Sequence, residues 1–175
     1  DATGVQGRTG NDDLIYGGAG QDNIRVGQGA ADGNWGDYGR AFGNDTIYGG
    51  GGSDVLNVWA NNWDQEGADI IVTKVFADGA MKGKAMIDWA GPDVETTVFQ
   101  GFELLWGHGG HDTFDASGAE IVGTTGVHVN TRWNDDLIVG SSGDDTLEGG
   151  HGADAITGGA GNDLLDAGTG TDTVY

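Results

Sequence analysis

Several residue types that shape most proteins are scarce or absent in this chain of 175 residues. It has no cysteine, which excludes a disulfide scaffold and thiolate metal sites. The chain has seven basic and 28 acidic residues, which give a formal net charge of −21. This excess repels phosphate groups and anionic surfaces, so we expect no nucleic-acid partner. No apolar run approaches the roughly 18 residues that cross a bilayer, so we expect no direct membrane insertion. The charge attracts cations instead.

Proline is also nearly absent, with one residue, whereas glycine is abundant, with 37. Each glycine inside a helix costs roughly 1 kcal/mol relative to alanine, so helix is the least favoured state. The chain begins with Asp1 and carries no signal pattern there, which we interpret as a processed chain or a piece of a longer one.

The main positive feature is an internal repeat with a period of nine. Residues 140–175 divide without remainder into GSSGDDTLE, GGHGADAIT, GGAGNDLLD and AGTGTDTVY. Residues 17–25, 49–57 and 107–115 follow the same frame, and imperfect units surround four further aspartates. The frame places one aspartate at position six of each unit: Asp13, Asp22, Asp45, Asp54, Asp69, Asp112, Asp136, Asp145, Asp154, Asp163 and Asp172. Two positions after every one of them stands a large apolar residue.

Glycine at positions one, two and four of the repeat permits backbone with positive φ and lets carbonyl groups converge. The first six residues therefore predict a turn, and the last three a short strand whose middle side chain points inward. One apolar residue in nine makes a core only when coils stack and pair their strands. The best-matching turn glycines are Gly17, Gly18, Gly20, Gly49, Gly50, Gly52, Gly149, Gly150, Gly152, Gly158, Gly159 and Gly161.

The position-six aspartate has two interpretations. One isolated aspartate in a turn commonly caps its own backbone. Eleven in register favour a metal, because aspartates 18 residues apart stack directly if two repeats make one coil, and bare carboxylates would repel one another. A hard cation that takes several carboxylate and carbonyl oxygens is Ca²⁺. In the units that end in NDDLI, the neighbouring Asp12 and Asp135 are alternative ligands.

These nonapeptides resemble the RTX (repeats-in-toxin, hemolysin-type) calcium-binding family. The resemblance implies an all-β, right-handed parallel β-roll, or β-solenoid, with several Ca²⁺ ions between successive turns. It implies ligands from position-six carboxylates of repeats two apart, such as Asp136 with Asp154, Asp145 with Asp163 and Asp154 with Asp172, together with turn carbonyls. It also implies type I secretion and folding on meeting extracellular calcium, and hence a secreted or cell-surface location.

Insertions interrupt the roll. We divide the single domain into N-terminal repeats with insertions (1–72), an inserted segment (73–106) and C-terminal repeats (107–175). Alternation from Ile70 to Phe76, a turn at residues 77–79 and a second run toward Trp89 predict a β-hairpin. Residues 98–106 then return to the roll as an extended strand. The hairpin serves either as a side flap that covers or caps the solenoid or as an interaction surface.

Six tryptophans all fall in insertions or irregular units. If the tryptophan side chains are exposed, they would form a glycan- or protein-binding surface. If they are buried, they would supply the side-chain bulk that a glycine-rich roll lacks. The candidates for such a surface are Trp35, Trp59, Trp63 and Trp89.

Motifs of catalysis are missing: the sequence has no GxSxG, HExxH or P-loop, and nothing singles out a pair of acidic residues for acid–base chemistry. We therefore predict a calcium-binding module of an exported protein, without enzymatic activity, that serves a structural, secretion or interaction role. The alternative is an adhesive or complex-assembly surface built from the tryptophan-bearing insertions.

Overall fold

The protein is all-β in the computed structural model, which describes residues 14–27, 44–59, 66–88 and 94–175. These ranges contain sixteen strands and no helix. The strands are β1 (Leu14–Ala19), β2 (Asn23–Gly27), β3 (Thr46–Gly51), β4 (Val55–Trp59), β5 (Glu66–Val75), β6 (Met81–Asp88), β7 (Val94–Phe102), β8 (Leu104–Trp106), β9 (His111–Asp115), β10 (Glu120–Ile121), β11 (Thr125–Asn130), β12 (Leu137–Val139), β13 (Asp144–Glu148), β14 (Ala155–Thr157), β15 (Leu164–Asp166) and β16 (Thr173–Val174).

The chain passes back and forth between two sheets. The wide sheet has ten strands in the order β1-β3-β7-β6-β5-β9-β12-β14-β16, with β10 beside β5. The narrow sheet has six, in the order β15-β13-β11-β8-β4-β2. Every pairing is parallel except the two that involve β6. The predicted all-β class and the parallel strand pairing are thus confirmed.

Equivalent residues of successive coils lie side by side. In the wide sheet Ile138 pairs with Ile156, and Ile156 pairs with Val174. In the narrow sheet Leu147 pairs with Leu165. Each step is 18 residues, so two nonapeptides make one coil, as the sequence predicts.

Position-eight side chains contribute to the core because they point between the two sheets. Those that are buried are Ile15, Ile24, Ile47, Leu56, Phe114, Ile138, Leu147 and Ile156. Phe99 and Phe102 of β7 add two fully buried rings, with centroids 6.4 Å apart in an edge-to-face arrangement. Toward β16 the core thins: Leu165 is half-buried, and Val174 is 48% exposed.

The predicted hairpin is present. Strands β5 and β6 pair antiparallel, and the turn between them is closed by hydrogen bonds between Phe76 and Ala80 and from Gly79 N–H to Phe76 O. Strand β6 also pairs antiparallel with β7, so it lies inside the wide sheet between two strands that run parallel to the coils. The interpretation of the hairpin as a side flap over the solenoid is therefore wrong. It widens one sheet instead.

The predicted frame around Asp69 is shifted by one residue. Asp69 is exposed and pairs with Thr113, and Ile71, expected to point inward, is 39% exposed. Ala68 takes the inward position beside Asp112, because the register between β5 and β9 slips between residues 66 and 69. Asp69 is consequently removed from the column of inward carboxylates.

Candidate metal centre

Six of the position-six aspartates are buried, and backbone N–H groups link their carboxylates from one coil to the next. In the wide sheet, the backbone N–H of Asp112 donates to Oδ1 of Asp136 at 2.7 Å, that of Asp136 to Oδ1 of Asp154 at 2.9 Å, and that of Asp154 to Oδ1 of Asp172 at 3.0 Å. We call this set the wide-sheet column. It places Asp136, Asp154 and Asp172 in the line that the sequence predicts.

The narrow sheet carries a second line of the same kind, the narrow-sheet column. Asp22 N–H donates to Oδ1 of Asp54 at 2.8 Å, and Asp145 N–H donates to Oδ1 of Asp163 at 3.0 Å. Between these two pairs stand Glu103 and Val127 at the position-six level, since Asp54 N–H donates to Glu103 Oε2 and Val127 N–H donates to Asp145 Oδ1. The column is thus interrupted by one apolar residue.

The second carboxylate oxygen decides what the columns can bind. Oδ2 of Asp54, Asp112, Asp136 and Asp154 is fully buried and has no hydrogen-bond partner among the described residues. A buried carboxylate oxygen without a donor is costly. These four oxygens therefore call for a proton or a cation.

Backbone oxygens converge on the same places. A methyl group added to Gly149, at position one, would lie 2.5 Å from Oδ2 of Asp154 and 2.8 Å from the carbonyl oxygen of Ala167 in the next coil. At Gly17 and Gly49 such a methyl would likewise contact its own repeat's aspartate Oδ2 and a glycine carbonyl oxygen of the next coil. Glycine is needed here because these oxygens occupy the space of a side chain. Two oxygen acceptors brought together suit Ca²⁺, which binds through several carboxylate and carbonyl oxygens.

Burial acts on the ionisation of the wide-sheet column. Desolvation raises the pKa of Asp112 to about 7 and that of Asp136 to about 8, and it raises the pKa of Asp154 as well. The neighbouring carboxylates add to the effect, Asp112 on Asp136 and Asp172 on Asp154. Without a cation, burial disfavours the charged form of these carboxylates, and a bound cation would stabilise that form.

Asp145 differs from the other buried aspartates because protein donors satisfy both of its oxygens. Ser141 donates its hydroxyl to Oδ1 at 2.7 Å and its backbone N–H to Oδ2 at 2.7 Å. Ser141 stands at position two, where the next three repeats carry glycine. Asp145 therefore has a weaker need for a cation than Asp54, Asp112, Asp136 and Asp154.

Positive φ marks positions two and four of most turns, but the position-one glycines do not adopt it, and neither does Gly143 at position four of the Asp145 turn. Where glycines at positions two and four of the nonapeptides have positive φ, the values lie between 87° and 152°, for example Gly150 at 105° and Gly152 at 144°. In the unit around Asp136, the same conformation is adopted by Arg132 (φ 74°) and Asn134 (φ 76°). The guanidinium carbon of Arg132 lies 3.9 Å from the centre of the Trp106 ring, a cation–π contact.

The remaining predicted ligands are distributed as follows. Asp22 is buried, and Asp45, Asp163 and Asp172 are half-buried at the level of the columns. Asp135, the alternative to Asp136, is exposed and accepts a hydrogen bond from Ala153 N–H instead of facing the core.

Several predicted residues cannot be placed in the site. Asp12 and Asp13 lie outside the described residues, as do Trp35, Trp63 and Trp89, and of Trp59 only the backbone is described, in β4. The tryptophan surface therefore stays a prediction.

Sequence reasoning missed Glu103 and Ser141. Glu103 lies outside every nonapeptide of the sequence. Ser141 stands at position two in place of the usual glycine, and the sequence does not mark it as a donor. The signal for Glu103 was weak but present: a glycine two residues before it, and Leu105 two residues after it as the inward apolar residue.

In the part of the chain that the structure describes, no three His, Asp or Glu side chains form a metal cluster. This agrees with sites made from one or two carboxylates and backbone carbonyls, where carbonyl oxygens supply the remaining ligands. The described ranges also contain no helix long and apolar enough to cross a membrane.

A comparison with protein-family models identifies the repeats. The RTX calcium-binding nonapeptide repeat matches in four copies, at residues 5–30, 42–62, 132–165 and 139–174, which cover just over half of the chain. The chain belongs to this family, and its repeats are calcium-binding repeats. No curated protein and no solved structure matches the chain.

Proposed function

We propose that this chain is a calcium-dependent right-handed β-roll module of an exported protein, which folds when it meets extracellular Ca²⁺. One observation carries the proposal: the buried Oδ2 atoms of Asp54, Asp112, Asp136 and Asp154 lack donors among the described residues. At Asp54 and Asp154, that oxygen and a carbonyl oxygen of the next coil meet at the same glycine.

The ligands follow from the two columns. In the wide-sheet column Asp136, Asp154 and Asp172 would hold ions with carbonyl oxygens of the adjoining turns, and Asp112 would extend this line toward β5. In the narrow-sheet column Asp22 and Asp54 would do the same. Bound calcium supplies the positive charge that allows these carboxylates to stay ionised when buried.

Binding and folding are coupled in this arrangement. Ligands from different coils come together only after the coils have stacked, so the binding free energy is also folding free energy. Without calcium, a net charge of −21 and one inward apolar residue per repeat leave the chain disordered or molten. Affinities typical of extracellular modules, about 10⁻⁴ to 10⁻³ M, keep the chain unfolded inside the cell and folded outside.

A calcium titration of the chain tests this function. Far-UV circular dichroism should show a cooperative gain of strand signal with Ca²⁺ that Mg²⁺ does not reproduce, and calorimetry should count several ions per chain. Equal strand content and melting behaviour in chelator and in calcium would show that the aspartates are only turn formers.

A further inference from the structure

We propose that the short turn from Gly101 to Glu103, which is not a nonapeptide, holds a calcium ion together with Asp54. This inference rests on the proposed calcium function. It concerns a turn that lies outside every matched repeat, between residues 62 and 132.

Register shows that Glu103 occupies position six of its coil. In β4 and β8, Val55 pairs with Leu104 and Leu56 with Leu105. Since Val55 follows Asp54, the residue level with Asp54 is Glu103. Leu105 is fully buried, as position eight requires.

Hydrogen bonds support the same equivalence between Glu103 and a position-six aspartate. In regular coils, the N–H at position seven donates to the carbonyl oxygen of position six one coil earlier, as Val55 does to Asp22 at 2.8 Å. Leu104 N–H donates to Asp54 O at 3.2 Å in the same way. Asp54 N–H donates to Glu103 Oε2 at 2.6 Å, as Asp22 N–H does to Oδ1 of Asp54. Glu103 thus makes the carboxylate contact of a repeat aspartate.

The oxygens of a cation site are also present. Asp54 is 1% exposed, and its Oδ2 has no hydrogen-bond partner among the described residues. A methyl group added to Gly49 would lie 2.8 Å from that Oδ2 and would collide with the carbonyl oxygen of Gly101. The carbonyl oxygen of Gly101 therefore takes the place of that of a position-one glycine in the next coil, although the φ of Gly101, 81°, is positive and that of the position-one glycines is not.

The residue type fits the shortened turn. Only Glu103 separates β7 from β8, whereas a full repeat turn has six residues. Glutamate has one methylene group more than aspartate, and we infer that this length compensates for the missing turn residues. Asp54 also adds electrostatically to the raised pKa of Glu103, after desolvation by burial.

The site has a structural consequence. The next residue of the narrow-sheet column is the buried Val127, which offers no carboxylate. The ion at Glu103 is therefore the last of the N-terminal part of this column, and it fastens the N-terminal repeats to the strand that follows the hairpin insertion.

Calorimetric Ca²⁺ titration of the chain and its Glu103→Gln variant tests the proposal. Glutamine keeps an oxygen for Asp54 N–H but removes the charge, so the variant should bind one ion fewer, or bind one ion at least tenfold more weakly. Glu120→Gln is the matched control: it removes an equal charge from an exposed pair with Lys74 and should leave the ion count unchanged.

The outcomes separate the two proposals. If neither the parent chain nor the variant binds calcium, the proposed function fails. If the parent binds several ions and Glu103→Gln binds the same number equally well, the site at Glu103 is overturned and the proposed function stands.

A second measurement needs no variant and serves if Glu103→Gln does not fold. With Mn²⁺ titrated into the calcium-loaded parent chain, NMR signals of the Gly101 and Glu103 amides should broaden together with those of the repeat turns. Sharp signals at these two amides, beside broadened repeat turns, would overturn the proposal.

Discussion

The turns that contain Asp145 and Asp154 are neighbours in sequence and share one motif, but they satisfy their carboxylates differently. Asp145 receives protein donors on both oxygens, two of them from Ser141. Asp154 has glycine at position two, Gly150, and its Oδ2 has no partner among the described residues. The backbone N–H at position two makes the difference at Oδ2: Ser141 donates it to Asp145, whereas Gly150 donates it to the carbonyl oxygen of Ala167 in the next coil.

On the proposed calcium function, the repeats therefore differ in how strongly their turns depend on metal. Where the backbone N–H at position two donates elsewhere, as at Gly150, Oδ2 of the carboxylate faces a carbonyl oxygen, and on the proposed function it takes a cation. Where that N–H donates to Oδ2, as at Ser141, the protein itself satisfies the carboxylate. Four predictions would break or sharpen this difference.

The largest effect is expected for Asp154→Asn. Loss of this buried ligand should lower the stability of the calcium-loaded protein by about 3 to 5 kcal/mol, since it leaves its site incomplete. It should also lower by one or two the number of ions coupled to folding, given by the slope of the unfolding free energy against the logarithm of calcium concentration.

Asp145→Asn is the matched variant. It should cost about 2 kcal/mol, the value of hydrogen bonds to a charged group, and leave the slope unchanged. Urea unfolding at a series of calcium concentrations measures both quantities. Equal slopes for the two variants would show that the two turns do not differ.

Ser141→Gly should make the Asp145 turn resemble the Asp154 turn. Loss of the hydroxyl removes one of the two donors to Oδ1 of Asp145, so stability at low calcium should fall by about 1 to 2 kcal/mol. Glycine also permits the positive φ that Gly150 has at position two, which would turn the backbone N–H away from Oδ2 of Asp145, so the number of ions coupled to folding should rise by one. Ser141→Ala, which keeps a side chain in the turn, should lose similar stability without the added ion, and a gain in both variants would contradict the role given to glycine.

Acid should partly replace calcium in stabilising the fold. In the folded chain the pKa values of Asp112 and Asp136 are raised to about 7 and about 8, above their unfolded values, so the metal-free fold holds these protons more tightly. Their contribution to its stability is full below about pH 4 and is lost as the pH rises through 7 and 8.

In chelator, circular dichroism should therefore show more strand at pH 5 than at pH 8.5. Calcium affinity should decrease over the same acid range, because protons compete for the carboxylates. A metal-free chain with less strand at pH 5 than at pH 8.5 would contradict this account.

The smallest effect is expected for Arg132→Gly, which gives the Asp136 turn the glycine of its neighbours. Relief of the positive φ favours the variant, but glycine costs more chain entropy and the contact with Trp106 is lost. We expect a change within about 1 kcal/mol and an unchanged ion count. Thermal unfolding in saturating calcium measures it, and a large loss would show that the Arg132 side chain itself holds the turn.

Much of the fold could be read from the sequence because its information is local. The period of nine, glycine at positions two and four and an apolar residue at position eight predict turn, strand and inward side chain within one repeat. Ile138, Ile156 and Val174 therefore stack as expected. A hairpin was also predicted, from Ile70 through the turn at residues 77–79 toward Trp89, since alternation and a short turn are local patterns.

Local patterns failed where pairing between distant segments decides the outcome. Asp69 satisfies the spacing of the repeat, but the register slip against β9 turns it outward and places Ala68 in the column. The sequence of strand β6 predicts one half of a flap. In the structure the second edge of β6 pairs with β7, so β6 lies within the sheet.

The sequence by itself determined the repeating coil, the inward apolar residues and the carboxylates that point to calcium, because each follows from turn and strand geometry within nine residues. Only the tertiary structure decided which carboxylates need a cation. That depends on which donors and carbonyl oxygens the fold brings to each carboxylate: Ser141 of the same turn and Val127 of the preceding coil at Asp145, and Gly101 of the following coil at Asp54. The contacts of Val127 and Gly101 arise from the stacking of coils, and no spacing within one nonapeptide encodes them.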